Sequence, residues 1–285
     1  MEAFFRALAK GVNDKFPKNK IKNFSGTEHI EFIIRELRNW QDRITDARLR
    51  TSYMHVIGLS LLIRYRWYKM PEEAFTHADF FLQHAHFIGD PLTVSMALCN
   101  KAFNYLWNGE PAVSRSYFLK VISLLEDKNH SPLLMAYNYI TASYRMQNNL
   151  AVTEQWAHLT LDKAISTDNL SYVSYAYANL AWINAKRNNW LYAEDYSRKA
   201  QDSWNAQSLF YSYSFILIEC HLKKNEMDEA GKYAFKLLHP KAKKLPSKIV
   251  QPLKKAVSSW IKGDERELEC ELVEALEESK ILGYY

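Results

Sequence analysis

The sequence predicts an all-α fold, a solenoid of stacked helical hairpins, and three observations point to it. The 285-residue chain holds only 8 Gly and 8 Pro, with no Pro between residues 133 and 239. Sandwiches and barrels need such turn residues every few positions, so an all-β fold is excluded. Glycine is also too sparse for phosphate loops: neither GxGxxG nor GxxxxGK[ST] occurs, which argues against the common nucleotide-binding enzymes. Finally, short polar breaks recur at a regular pitch between long amphipathic stretches. A hydrophobic content of 48% over this length supplies a large core without disulfide staples.

Along the chain, residues 1–44 read as an N-terminal cap. Segments 2–16 and 27–44 are amphipathic helices separated by Lys18-Asn19-Lys20-Ile21-Lys22-Asn23, and their spacing does not fit the repeat pitch of the rest of the chain. An end unit of a stacked array needs a polar outer face, which explains the irregularity.

Residues 45–239 carry the repeats. The breaks Lys69-Met70-Pro71-Glu72-Glu73, Asn108-Gly109-Glu110-Pro111, Asn148-Asn149, Asn188-Asn189, Lys224-Asn225-Glu226 and, beyond the repeats proper, Lys262-Gly263-Asp264 each come after a helix-compatible stretch and precede another. Aligning one residue after each break gives Ala74, Ser114, Thr153, Ala193, Ala230 and, less well, Leu268, at successive spacings of 40, 39, 40, 37 and 38. A small side chain there lets the second helix of a hairpin approach the first. Twelve positions earlier stand Leu62, Ala102, Thr141, Ala181, Ile218 and Ala256, again mostly small, and three beyond those Tyr65, Tyr105 and Tyr144 give way to Asn184 and His221.

Residues 240–285 form a C-terminal hairpin and cap. Pro240-Lys241-Ala242-Lys243-Lys244-Leu245-Pro246 interrupts the array before a hairpin over 247–280, whose second helix carries Glu265, Glu267, Glu269, Glu271, Glu274, Glu277 and Glu278. That acidic strip reads as a solvated capping face.

Tyr137-x-x-Ile140-Thr141-x-x-Tyr144 and Tyr177-x-x-Leu180-Ala181 as first helices, and Trp190-Leu191-Tyr192-Ala193-Glu194 as a second, resemble the tetratricopeptide repeat (TPR) over roughly residues 45–280. The pitch is nearer 39 than the family's 34, and the family's glycine in the first helix is missing, departures seen in divergent bacterial TPR-like arrays. The resemblance implies a right-handed superhelix whose first helices line a concave groove. It would turn inward Leu59, Ile63 and Trp67; Cys99, Asn100, Phe103 and Trp107; Asn138, Ala142 and Arg145; and Asn179, Trp182 and Lys186.

Nothing in the sequence assembles a catalytic site. HExxH and GxSxG are absent, and His84 and His86, two apart on a helix, face different ways. His77 and His84 share a face, but no Cys or clustered acid joins them to complete a zinc shell, so no metal or cofactor is expected. The net charge of +5 comes from 37 basic and 32 acidic residues mixed along the chain. Lys236, Lys241, Lys243, Lys244, Lys248, Lys254 and Lys255 lack interleaved arginines, so nucleic acid is disfavoured. Cys99, Cys220 and Cys270 lie far apart among apolar residues and read as buried thiols in a reducing compartment. No signal peptide or apolar run of about 18 residues occurs, so no membrane insertion and a cytoplasmic location are expected.

Binding is the better-supported reading, and the sequence predicts a non-enzymatic scaffold for a protein or peptide segment. Trp67, Phe103, Trp107 and Trp182 would anchor it. Asn100, Asn138 and Asn179 would pair with its main chain, because asparagine mid-helix otherwise competes with the backbone. Arg145 and Lys186 would favour acidic groups. The TPR clamp for a carboxylate tail is absent, since Leu59, Ile63, Cys99 and Phe103 stand where its polar residues belong. The alternative reading is a small-molecule or signal-peptide sensor domain of a regulatory protein, since aromatic platforms with amides also suit a metabolite.

Overall fold

The computed structural model describes residues 27–65, 70–126, 130–203, 211–239 and 245–285. Trp67, the expected helix over 2–16 and Lys241, Lys243 and Lys244 of the basic loop lie outside the described residues. Among those described, the chain is helical, with no strand.

Among the described residues thirteen α-helices succeed one another: α1 (Thr27–Trp40), α2 (Ala47–Tyr65), α3 (Glu72–Ile88), α4 (Pro91–Trp107), α5 (Pro111–Leu125), α6 (Ser131–Met146), α7 (Leu150–Ser166), α8 (Leu170–Lys186), α9 (Trp190–Ser203), α10 (Tyr211–Lys223), α11 (Met227–Leu237), α12 (Ser247–Lys262) and α13 (Glu265–Ile281), with a 3₁₀ turn at Gln41–Arg43. From α2 onward they pair into six hairpins, and helices pack on their chain neighbours as in an α-solenoid. The chain divides into two compact units, Met1–Ala136 and Tyr137–Tyr285.

The repeat register has a backbone cause. Gly109, Asn148, Asn188, Asn225 and Gly263 all adopt the left-handed conformation, with φ between 54° and 84°, and each sits five positions before the aligned residue of its hairpin. Only Gly, and after it Asn, enters that region at low cost. The next N–H then reaches back five residues to close a Schellman turn: Glu110 to Tyr105, Asn149 to Tyr144, Asn189 to Asn184, Glu226 to His221 and Asp264 to Ser259. The recurring element at the Tyr/Asn/His position is therefore its backbone carbonyl oxygen, which any residue supplies.

Packing obeys the same frame. Ala74, Ser114, Thr153, Ala193, Ala230 and Leu268 are all buried, and so are Ala102, Thr141, Ala181, Ile218 and Ala256 on the facing first helices. Three residues past the aligned position, the second helix sends a ring against its partner helix: Tyr117 stacks on Tyr105, Trp156 tilts against Tyr137, Tyr196 stacks on Tyr177 and Tyr233 stacks on His221. Small residues thus set the helix separation and rings fill the space beside them.

In the first unit α1 lays Phe32, Ile33 and Leu37 against Tyr53, Ile57 and Leu61 of α2, with Met70 and Ala74 closing the cluster. Each such fully buried apolar side chain contributes about 1.5–3 kcal/mol. The histidines of α3 tie it to α2, as His77 Nε2 donates to the Met54 carbonyl at 2.9 Å and His84 Nε2 lies 3.2 Å from Thr51 Oγ1.

Two expectations at the C-terminal hairpin are corrected. Cys270 is exposed, because Leu268, Glu271 and Leu272 occupy the inward positions of its turn. Glu271 is buried where the other hairpins carry their ring, and Lys255 Nζ of α12 holds it at 3.0 Å. The acidic strip is therefore not wholly solvated.

Candidate functional site

The eight described members of the predicted binding set fall in both units. In the first, Asn100 on α4 is buried over Gly58 of α2, its Nδ2 standing where a Cβ on Gly58 would come within 1.7 Å. Phe103 is buried too, edge-on to Phe118 of α5 at 5.4 Å. Trp107, half-buried, packs on the α1–α3 cluster. These three side chains are engaged in joining helices.

The second unit brings four predicted residues together. Arg145, in the last turn of α6, places its guanidinium carbon 5.0 Å from the ring centroid of Trp182 on α8, and its Nη1 donates to Asn179 Oδ1 at 3.2 Å. One turn beyond Trp182, the Lys186 ammonium lies 5.6 Å from the same ring. Two cations thus bear on one indole, each contact contributing about 0.5–2 kcal/mol. Trp182, Asn179 and Lys186 share a face of α8 through their three- and four-residue spacings.

Hydrogen bonding there is incomplete. Asn179 Nδ2 donates back to the Tyr175 carbonyl at 3.1 Å, so its amide is held by its own helix and by Arg145. The Asn138 Oδ1 on α6 and the Trp182 Nε1 are both buried with no hydrogen-bond partner. Leaving such a group unmet costs about 1–3 kcal/mol.

Three further residues complete the constellation: Glu219 on α10, Lys280 on α13 and Tyr285. Lys280 Nζ donates to Glu219 Oε1 at 2.8 Å, and the Tyr285 hydroxyl donates to Glu219 Oε2. The Lys186 and Lys280 ammoniums lie 5.5 and 4.7 Å from the Tyr285 ring centroid. Burial, with Lys280 and Arg145 nearby, pulls the Lys186 ammonium below its ordinary pKa against the opposing pull of Glu219. Lys280 thus holds the Glu219 carboxylate, while Lys186 is attracted by Glu219 and repelled by Lys280 and Arg145, so positive charge prevails around Lys186.

Glu219 was accessible to the repeat frame. It comes directly after Ile218 as Trp182 does after Ala181 and Phe103 after Ala102, the same position one hairpin further on. Tyr285 and Lys280 carry no repeat signal.

Among the described residues no group of three or more His, Cys, Asp or Glu is placed to hold a metal ion, and no helix is long and apolar enough to cross a membrane. No family model matches the chain, and no curated protein matches it either.

Proposed function

We propose that the chain is a non-enzymatic, TPR-like binding scaffold whose second unit anchors an acidic peptide or protein segment at Arg145, Asn179, Trp182 and Lys186. The observation that carries this reading is the convergence of two cations, Arg145 and Lys186, and the Asn179 amide on one indole. Arg145 and Lys186, held over the buried Trp182 ring, favour a carboxylate.

Selection from a random-peptide display library tests the reading. Peptides enriched in Asp or Glu next to an apolar residue are expected, and Arg145→Ala with Lys186→Ala should weaken them at least tenfold while the helical content by circular dichroism is retained. Recovery of no binder, or binding indifferent to both that pair and Asn138→Ala with Asn179→Ala, would overturn it. Stabilisation by a metabolite pool, with no peptide selected, would favour a small-molecule sensor.

A further inference from the structure

Helix α8 carries one stripe that reaches solvent at both ends. Tyr172, Tyr175, Asn179, Trp182 and Lys186 follow one another at spacings of three, four, three and four residues, so all five share a face along the helix. The other faces are closed: Val173, Ala176, Leu180 and Ile183 are buried, and Tyr177 is taken up by its stack on Tyr196 of α9. In the middle of the stripe Asn179 and Trp182 are buried as well, with the Arg145 guanidinium over them. What the stripe presents to solvent is therefore the Lys186 ammonium at one end and two half-buried rings, Tyr172 and Tyr175, at the other, their centroids 6.0 Å apart and their planes at 43°.

We infer that the tyrosine pair is a second contact point for the ligand, so that the bound segment carries a carboxylate at one point and an aromatic or bulky apolar side chain a few residues away. This second contact rests on the peptide-binding reading and deepens it by adding a residue type and a spacing. The two ends of the stripe differ in chemistry. Lys186 and Arg145 attract a carboxylate at one, and the stripe holds no acidic residue of its own to answer them. At the other end, Tyr172 and Tyr175 supply large, rigid contact area at little cost in side-chain order, which suits a ring or an apolar group. Helix geometry sets the separation. At about 1.5 Å per residue, the step from Tyr175 to Trp182 spans about 11 Å and that from Tyr172 to Lys186 about 21 Å. An extended chain covers about 3.4 Å per residue, so the two ligand groups stand about three to six residues apart. The residues between them pass over the middle of the stripe, which Arg145 closes, and need no particular side chain.

The probes are unlabelled peptides with acetyl and amide caps, in which a Trp and an Asp-Asp pair are separated by zero, four or ten Gly and Ser residues, made in both chain directions and titrated into the protein by isothermal calorimetry. In at least one direction the four-residue spacer should bind at least about fivefold more tightly than either of the others, since the shortest cannot span the two ends and the longest loses effective concentration. Tyr172→Ala with Tyr175→Ala should remove that preference and bring the four-residue probe down to the affinity of one with Gly in place of Trp, with helical content by circular dichroism retained. Equal affinity across the spacers, a preference that survives the tyrosine substitutions, or no binding of any probe overturns the second contact. The peptide-binding reading stands or falls separately, on whether display selection yields acidic peptides that Arg145→Ala with Lys186→Ala weakens. If the double tyrosine variant loses its helical content, Tyr172→Glu decides: its added carboxylate should erase the spacer preference, and an unchanged preference overturns the second contact.

Discussion

Gly58 on α2 and Asn100 on α4 occupy one space: a Cβ built on Gly58 would lie 1.7 Å from Asn100 Nδ2 and 2.7 Å from its Cγ. Gly58→Ala is therefore a test with opposed signs. In a free helix it gains up to about 1 kcal/mol, whereas forcing a buried side chain aside costs about 1–3 kcal/mol. We expect a net loss of stability in urea unfolding, with a lower midpoint and an unchanged slope. Asn100→Ala should recover part of that loss in the double variant, and a stabilising Gly58→Ala would show that the two helices are not in this close contact.

The left-handed turns give a second test. Asn188, exposed at φ 60°, has no tertiary duty, so its conformational preference should act alone. Asn188→Gly should alter stability by less than about 1 kcal/mol. Asn188→Val, with a branched Cβ against the next carbonyl, should cost about 1–2 kcal/mol. The same substitutions at Asn225 should give the same order in thermal unfolding.

These turns also explain how much of the fold was legible in the sequence. A Schellman turn restricts one residue to Gly or Asn, and a close helix contact restricts another to a small side chain, so both leave a mark at fixed spacing. The site was legible only in part. First helices pack on their own hairpin partner and on the first helix of the neighbouring hairpin, as α2 does on α4 and α8 on α10. Repeat spacing marks such positions without saying what each side chain meets: Asn100 and Phe103 pack on Gly58 and Phe118, whereas the equally buried Trp182 lies under Arg145 and Lys186. Tyr285 was beyond reach for another reason: its position comes from a fold-back onto Glu219 and Lys186, residues remote in sequence, that no periodicity encodes.

Thiol reactivity should separate the cysteines. Burial pushes the Cys220 thiol up to about 12 and raises Cys99 further, whereas Cys270 is exposed. Because the thiolate is the reacting species, one equivalent of Ellman's reagent should react quickly with the native protein and three after denaturation. Cys270→Ser should abolish the fast phase. A fast phase that survives this substitution would place a second thiol at the surface.

The pH dependence of stability should show two windows, and their signs come from opposite shifts. In the first unit, burial lowers the pKa of His55 and His77 below 6.5, partly countered at His77 by its bond to Met54 and the charge of Glu73. The unfolded chain then takes up protons first, so stability is full above about 6.5 and falls as the pH drops toward the folded values. In the second unit the bonds from Arg187 hold Glu154 below 4.5; burial pushes Glu194 up, but Lys224 and Arg198 outweigh it and hold that carboxyl low as well. Their contribution is present above about 4.5 and is lost as the pH falls through the depressed values. Urea midpoints measured from pH 7.5 to 3.5 should therefore fall in two steps. His55→Gln with His77→Gln should flatten the upper step and leave the lower, and Glu154→Gln with Glu194→Gln should do the reverse. An upper step that persists in the histidine variant would mean that some other group carries it.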